Sequence, residues 1–145
     1  MALPMPVNGL VIRYSYLWAG QHDKGEHSGR KDRPCAIILA VKSEAGGPVV
    51  TVLPITHSLP VRRDEALEIP APVKSRLRLD GRQSWIVLTE ANRFVWPGPD
   101  LRPTQAGKIE TVACGLLPKA FYNDLKRAFI AHLKARVVDV VTRDD

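Results

Sequence analysis

PCAIILAVKSEAGGPVVTVLPITHS, from Pro34 to Ser58, decides the fold. It holds two apolar runs of strand length, PCAIILAV and PVVTVLPIT, parted by SEAGG. The Gly46-Gly47 pair permits positive φ in a tight connection, so the two runs read as a buried antiparallel hairpin. Its ends are polar. Arg33 closes a polar loop immediately before Pro34, and Thr56 ends the second strand just after Pro54. Both side chains are therefore expected to face one pocket.

Outward from the hairpin, the N-terminal GLVIRYSYLWA (Gly9 to Ala19) mixes β-branched and aromatic residues in loose alternation, the pattern of a strand with one packed face. Tyr14, Tyr16 and Trp18 would share a side. QHDKGEHSGRKD, Gln21 to Asp32, is too polar and glycine-containing for a core strand or a periodic helix and reads as a long loop. Downstream, Pro60, Pro70 and Pro72 leave room around ALEI only for a short edge strand, and Asp80-Gly81 forms a turn before the strand SWIVLTE. A proline-rich loop spans Pro97 to Pro103. Pro118 then opens PKAFYNDLKRAFIAHLKARV as a first-turn helix residue. Phe121, Leu125, Ala128, Phe129, His132 and Leu133 recur at three- and four-residue steps and lay an apolar stripe on the sheet. The β-branched tail VVDVVTRDD favours a last strand over more helix.

The chain has 145 residues, 45% of them hydrophobic, which suits a single domain over residues 1–145. Its formal charge of +6 favours polyanionic partners, nucleic acid first and acidic protein second. The cations are spread along the chain rather than gathered in a basic arm. Cys35 and Cys114 lie in separate apolar segments and read as small buried thiols of a reducing cytoplasm. No signal peptide and no membrane-length apolar run is read, so a soluble protein is expected.

Five marks occur in order: Gly25-Glu26, then Arg33-Pro34 opening an apolar strand, then Pro54-Ile55-Thr56. Leu88-Thr89-Glu90-Ala91-Asn92-Arg93 and Gly115-Leu116-Leu117-Pro118 follow. In this order, from about Gly9 to Leu133, the chain resembles the PemK/MazF-type toxins of bacterial toxin–antitoxin systems. The resemblance implies a mainly β (α+β) fold, an SH3-like antiparallel β-barrel with a C-terminal α-helix packed on it. It also implies an endoribonuclease that cuts single-stranded mRNA without a metal or cofactor, a homodimer, and an acidic antitoxin as partner.

That chemistry makes sense of the residues. Attack of a ribose 2′-hydroxyl on the adjacent phosphorus needs a base, an acid for the leaving 5′-oxygen, and positive charge on the phosphorane. Arg33 would grip the phosphorane oxygens with two parallel N–H groups, and Thr56 would donate its hydroxyl to a phosphate oxygen. Glu26 is the base by its place in the motif, with His27 its rival because imidazole titrates nearest neutral pH; His57 and His22 are weaker alternatives. Some members carry an arginine where Leu88 stands here, so Glu90 is expected to bind or orient RNA. Arg93, His57, Arg62, Arg63 and Arg82 complete the expected RNA-binding set.

Blander roles stand beside these. Trp85 and Trp96 are expected in the core rather than stacked on bases. His22, Asp23, Glu26 and His27 offer ligand types without ligand spacing, so no metal site is expected. Two rival functions use the same barrel: a non-catalytic toxin acting by protein contact, of the DNA gyrase poison type, and a nucleic-acid-binding module without turnover. A gyrase-type poison would need an apolar C-terminal contact surface, whereas this tail ends in Thr142-Arg143-Asp144-Asp145.

Overall fold

A computed structural model describes residues 3–26, 31–43 and 46–143. The chain forms a mainly antiparallel sheet with three helices, one of them C-terminal. The hairpin read from the sequence is its centre: β1 (Leu10–Tyr14) lies beside β2 (Arg33–Val41), and β2 beside β3 (Val49–Thr56). The register sets Cys35 opposite Pro54 and Val41 opposite Val49.

The middles of these strands are apolar because both of their faces are covered there, whereas Leu39 and Val41 near the end of β2 are exposed. Side chains of a strand alternate between faces. On β2, Ala36 and Ile38 enter one cluster with Val11, Leu53, Ile55 and Ile86, while Cys35 and Ile37 enter the other with Ile12, Tyr14, Val52 and Phe94. The C-terminal helix α3 (Lys119–Lys134) closes the first cluster with Leu125 and Phe129, and Tyr14 stacks on Phe94 at 4.7 Å in the second. Each such aliphatic side chain contributes about 1.5–3 kcal/mol by leaving water. Leu133, counted in the apolar stripe, is instead exposed.

Beyond β2, β3 divides its free edge. Val49–Val52 pair with β6 (Glu90–Val95), and Ile55 and Thr56 pair with β5 (Trp85–Val87), which carries the short edge strand β4 (Ala66–Glu68). SWIVLTE is thus not one strand, since a bend at Leu88 and Thr89 separates β5 from β6. On the other side β1 pairs with β7 (Ala113–Leu116), and the tail forms β8 (Asp139–Thr142), parallel to β6. Among the described residues this path of pairings is open, with β4, β7 and β8 as its ends.

Two short helices were not legible in the sequence. The first strand ends at Tyr14 rather than Ala19, and one helical turn, α1 (Ala19–Asp23), takes up Ala19 and the start of the loop expected from Gln21. Pro70 and Pro72 flank no strand extension but start α2 (Ala71–Arg76), with proline in the first turn, where no N–H is needed. Pro118 caps α3 from outside instead of belonging to its first turn. Gly115, at φ +147, lets β7 pass beneath α2, because a Cβ there would meet Leu77 Cδ2 at 3.3 Å. Among the described residues no helix is long and apolar enough to cross a membrane.

Two helices end in the same unusual way. After α2, Leu79 N–H donates to Lys74 O at 2.9 Å and Arg78 N–H to Ser75 O at 3.2 Å. After α3, Val137 N–H donates to His132 O at 3.2 Å and Arg136 N–H to Leu133 O at 3.0 Å. This paired capping puts one residue in the left-handed region, where glycine is usual. Here both positions hold arginine, Arg78 at φ 57 and Arg136 at φ 59.

Candidate functional site

The strand ends of β2 and β3 open onto a cavity of about 1040 Å³. Arg33 enters it from the start of β2 and Thr56 from the end of β3, so the two residues singled out from the sequence line one space. Pairing makes this geometry rigid: Tyr14 faces Arg33 across β1–β2, and Trp85 faces Thr56 across β3–β5.

The Arg33 guanidinium lies over the Trp18 ring at 4.9 Å, and Nη1 donates to Ile55 O at 3.5 Å, a long contact. Its Nε is buried with no hydrogen-bond partner among the described residues. A guanidinium packed on an aromatic face with a spare donor is preset for an oxyanion. Thr56 Oγ1 accepts the Ser58 N–H at 3.1 Å, which leaves its proton for a ligand.

Glu90 reaches the same cavity from the first residue of β6. Its Oε1 accepts from Tyr16 Oη at 3.1 Å and from Ala19 N–H at 2.9 Å. Burial pushes this carboxyl above the usual glutamate range, against the opposing effects of those two donors and the Arg33 charge; Asp139 adds to the rise. Burial first, and then the Glu90 charge, pushes the Tyr16 phenol upward, so it stays a donor. Two residues along β6, the fully buried Asn92 grips the same segment. Its Oδ1 accepts Leu17 N–H at 2.9 Å and its Nδ2 donates to Leu17 O at 2.8 Å. Asn92 Oδ1 also accepts from Arg143 Nη1 at 3.1 Å, and Arg143 Nη2 lies 3.1 Å from Asp100 Oδ2. Strand β6 thereby holds Trp18 and Ala19 where Arg33 and Glu90 meet them.

The remaining expected residues divide. His57 and Arg82 line the cavity with Arg33, Thr56 and Glu90. Arg62 lines a second hollow of about 480 Å³ that shares Glu65, Thr89 and Glu90 with the first. Arg63 sits exposed in a 3-10 turn and Arg93 projects exposed from β6, and neither lines either of these two hollows. Glu26, whose N–H donates to Gln21 O at 3.1 Å, does not line the cavity, and His27 falls outside the described residues. Trp85 and Trp96 are buried, at 7% and 8% exposure, in keeping with core roles. Cys35 is buried and Cys114 half-buried at the cavity wall, and burial raises both thiols. Among the described residues no three metal-ligating side chains gather.

Several cavity residues were not read as functional from the sequence: Trp18, Arg13, Arg78 and Asp80. For Trp18 a signal existed, since it follows the alternating aromatics and precedes the polar segment. Arg13, Arg78 and Arg82 have no carboxylate partner among the described residues, while Asp80 is held by His57 and Asp32 by Arg102 at 3.5 Å. With Lys31 and Arg33 the wall carries five cations against four carboxylates, Asp32, Glu65, Asp80 and Glu90, a narrow positive excess that favours a polyanion. The chain matches no family model and no curated protein.

Proposed function

We propose that the protein is a PemK/MazF-type endoribonuclease that cuts single-stranded RNA by 2′-hydroxyl attack on the adjacent phosphorus. The observation that carries this reading is the convergence of Arg33, Thr56 and Glu90 on one cavity whose wall carries more cations than carboxylates. The Arg33 guanidinium, with its unpartnered Nε, receives the phosphorane oxygens, and the Thr56 hydroxyl donates to one of them. Glu90 replaces Glu26 as the base. A carboxyl raised by burial has a basicity closer to the working pH and takes the 2′-hydroxyl proton more readily than an ordinary glutamate. The O2′–P bond forms as the P–O5′ bond breaks, the 5′-oxygen takes a proton from solvent, and a 2′,3′-cyclic phosphate remains. This chemistry requires no metal.

The finer structural and biological points belong to the same reading. On this reading the split of the β3 edge between β5 and β6 supports a strand path of the SH3-like kind. Two copies would set two such cavities beside one another, an acidic antitoxin segment would occupy the cationic wall, and a reducing cytoplasm would be the working compartment. The test is incubation of pure protein with mixed RNA in excess chelator. Cleavage leaving cyclic phosphate ends is expected, and Arg33→Ala is expected to abolish it with the fold intact. Equal cleavage by the variant would refute the assignment, and RNA binding without cleavage would favour a nucleic-acid-binding module.

A further inference from the structure

The geometry points to a second phosphate-gripping element, the loop 77–84 carrying Arg78 and Arg82, with His57 as its latch. This rests on the single-stranded RNA reading and deepens it. The cavity, about 1040 Å³, is larger than one small ligand needs, so a bound chain extends beyond the scissile phosphate at Arg33. Its wall also carries Arg78 and Arg82, exposed and without carboxylate partners among the described residues. Arg78 occupies the left-handed cap position of α2, where its backbone is strained and its side chain is delivered into the cavity. Strain alone does not mark function, because Arg136 shows nearly the same φ and does not line this cavity. The coincidence of strain, unpaired charge and cavity position distinguishes Arg78.

The loop is held on several sides. The buried Lys74 Nζ donates to Arg82 O, as does Ser84 Oγ at 3.1 Å. Asp80 Oδ1 accepts Arg82 N–H at 3.0 Å, and Asp80 Oδ2 lies 3.0 Å from His57 Nε2. The other ring nitrogen of His57, Nδ1, is 3.1 Å from Gln83 O and 3.2 Å from Ser84 Oγ. Both ring nitrogens therefore face the loop, and neither is left for a substrate proton. His57 directly follows Thr56, so it ties the arginine-bearing loop to the reacting strand end. It is a positioning residue, not the base.

The test measures binding of a short single-stranded RNA carrying 2′-O-methyl groups, which cannot be cut, by fluorescence anisotropy across a salt series. Each cation removed from a phosphate lowers the slope of log affinity against log salt by about 0.7. Arg78→Gln with Arg82→Gln is expected to lower it by about 1.4, a loss near 25-fold at about 0.1 M salt. Asp80→Ala separates latch from charge. Loss of a carboxylate alone would tighten RNA binding, whereas loss of the latch weakens it, and His57→Ala should weaken it non-additively with Asp80→Ala. In turnover of ordinary RNA, His57→Ala should raise KM with little change in kcat or its pH profile. An unchanged salt slope in the double arginine variant, or tighter binding by Asp80→Ala, overturns the proposal. A wild-type protein that binds the probe but never cuts ordinary RNA overturns the nuclease reading alone, and one that binds no RNA overturns both.

Discussion

Replacing Arg78 by glycine is expected to stabilise the protein while weakening its hold on RNA. Arg78 sits at φ 57, where a side chain costs about 1–2 kcal/mol relative to the right-handed region. Glycine removes that strain but brings an unfolded-state entropy cost of roughly 0.5–1 kcal/mol. The net gain is then about 0.5–1 kcal/mol. For a chain of 145 residues the unfolding entropy is about 0.3 kcal/mol/K, so Tm should rise by about 2–3 °C. Arg136, at φ 59 after α3, is the internal control. Arg136→Gly should give the same rise in calorimetry without altering the salt slope of RNA binding, whereas Arg78→Gly should lower that slope by about 0.7. A fall in Tm for Arg78→Gly would mean that the arginine side chain is held by contacts worth more than its strain, and that its placement serves the fold. Equal loss of RNA binding in both variants would refute the reasoning from the cavity wall.

Glu90 gives a pH signature. Its folded-state carboxyl is raised by burial, so the native state holds the proton more tightly than the unfolded chain. Its contribution to stability is full below the ordinary glutamate range, about 4.3, and is lost as pH rises through the higher folded value. Glu90→Gln should flatten that segment of a denaturation–pH curve and also abolish cleavage; a curve unchanged by the substitution would remove Glu90 from the buried set. Arg33→Lys keeps charge but loses the planar fork, and cleavage should drop by about 100-fold or more in single-turnover assays. Wild-type rates would show that charge alone suffices. Asn92→Ala leaves Leu17 N–H and C=O and one Arg143 donor without this partner, and should cost about 2–4 kcal/mol in urea denaturation. A cost below about 1 kcal/mol would mean that water takes over those bonds.

The central hairpin was legible as two continuous apolar runs parted by a glycine pair, and α3 because its apolar residues follow a helix period. The last strand was legible from Val138, Val140 and Val141. What escaped was short or carried by tertiary contacts. Helices α1 and α2 span five and six residues, too few to show a period, and α2 begins among prolines that read equally well as strand breakers. In the site, Arg33 and Thr56 could be paired from sequence because they end neighbouring strands. Glu90 carried a motif position but not its burial, which depends on Tyr16 and Ala19 folding over it from some seventy residues away in the chain. Arg78 was hidden because a left-handed backbone under an arginine leaves no mark in composition. Glu26 was weighted by motif alone, and its segment takes a helical turn whose course a glycine-containing polar stretch does not specify.

Strands β2 and β3 are clasped on both faces, and they alone launch Arg33 and Thr56. Repositioning that pair would mean dismantling the domain. The arginine-bearing loop hangs instead from a handful of side-chain ties at the periphery. On the nuclease reading, substitutions there would alter which nucleotide sequence is favoured while leaving the Arg33–Thr56 pair in place.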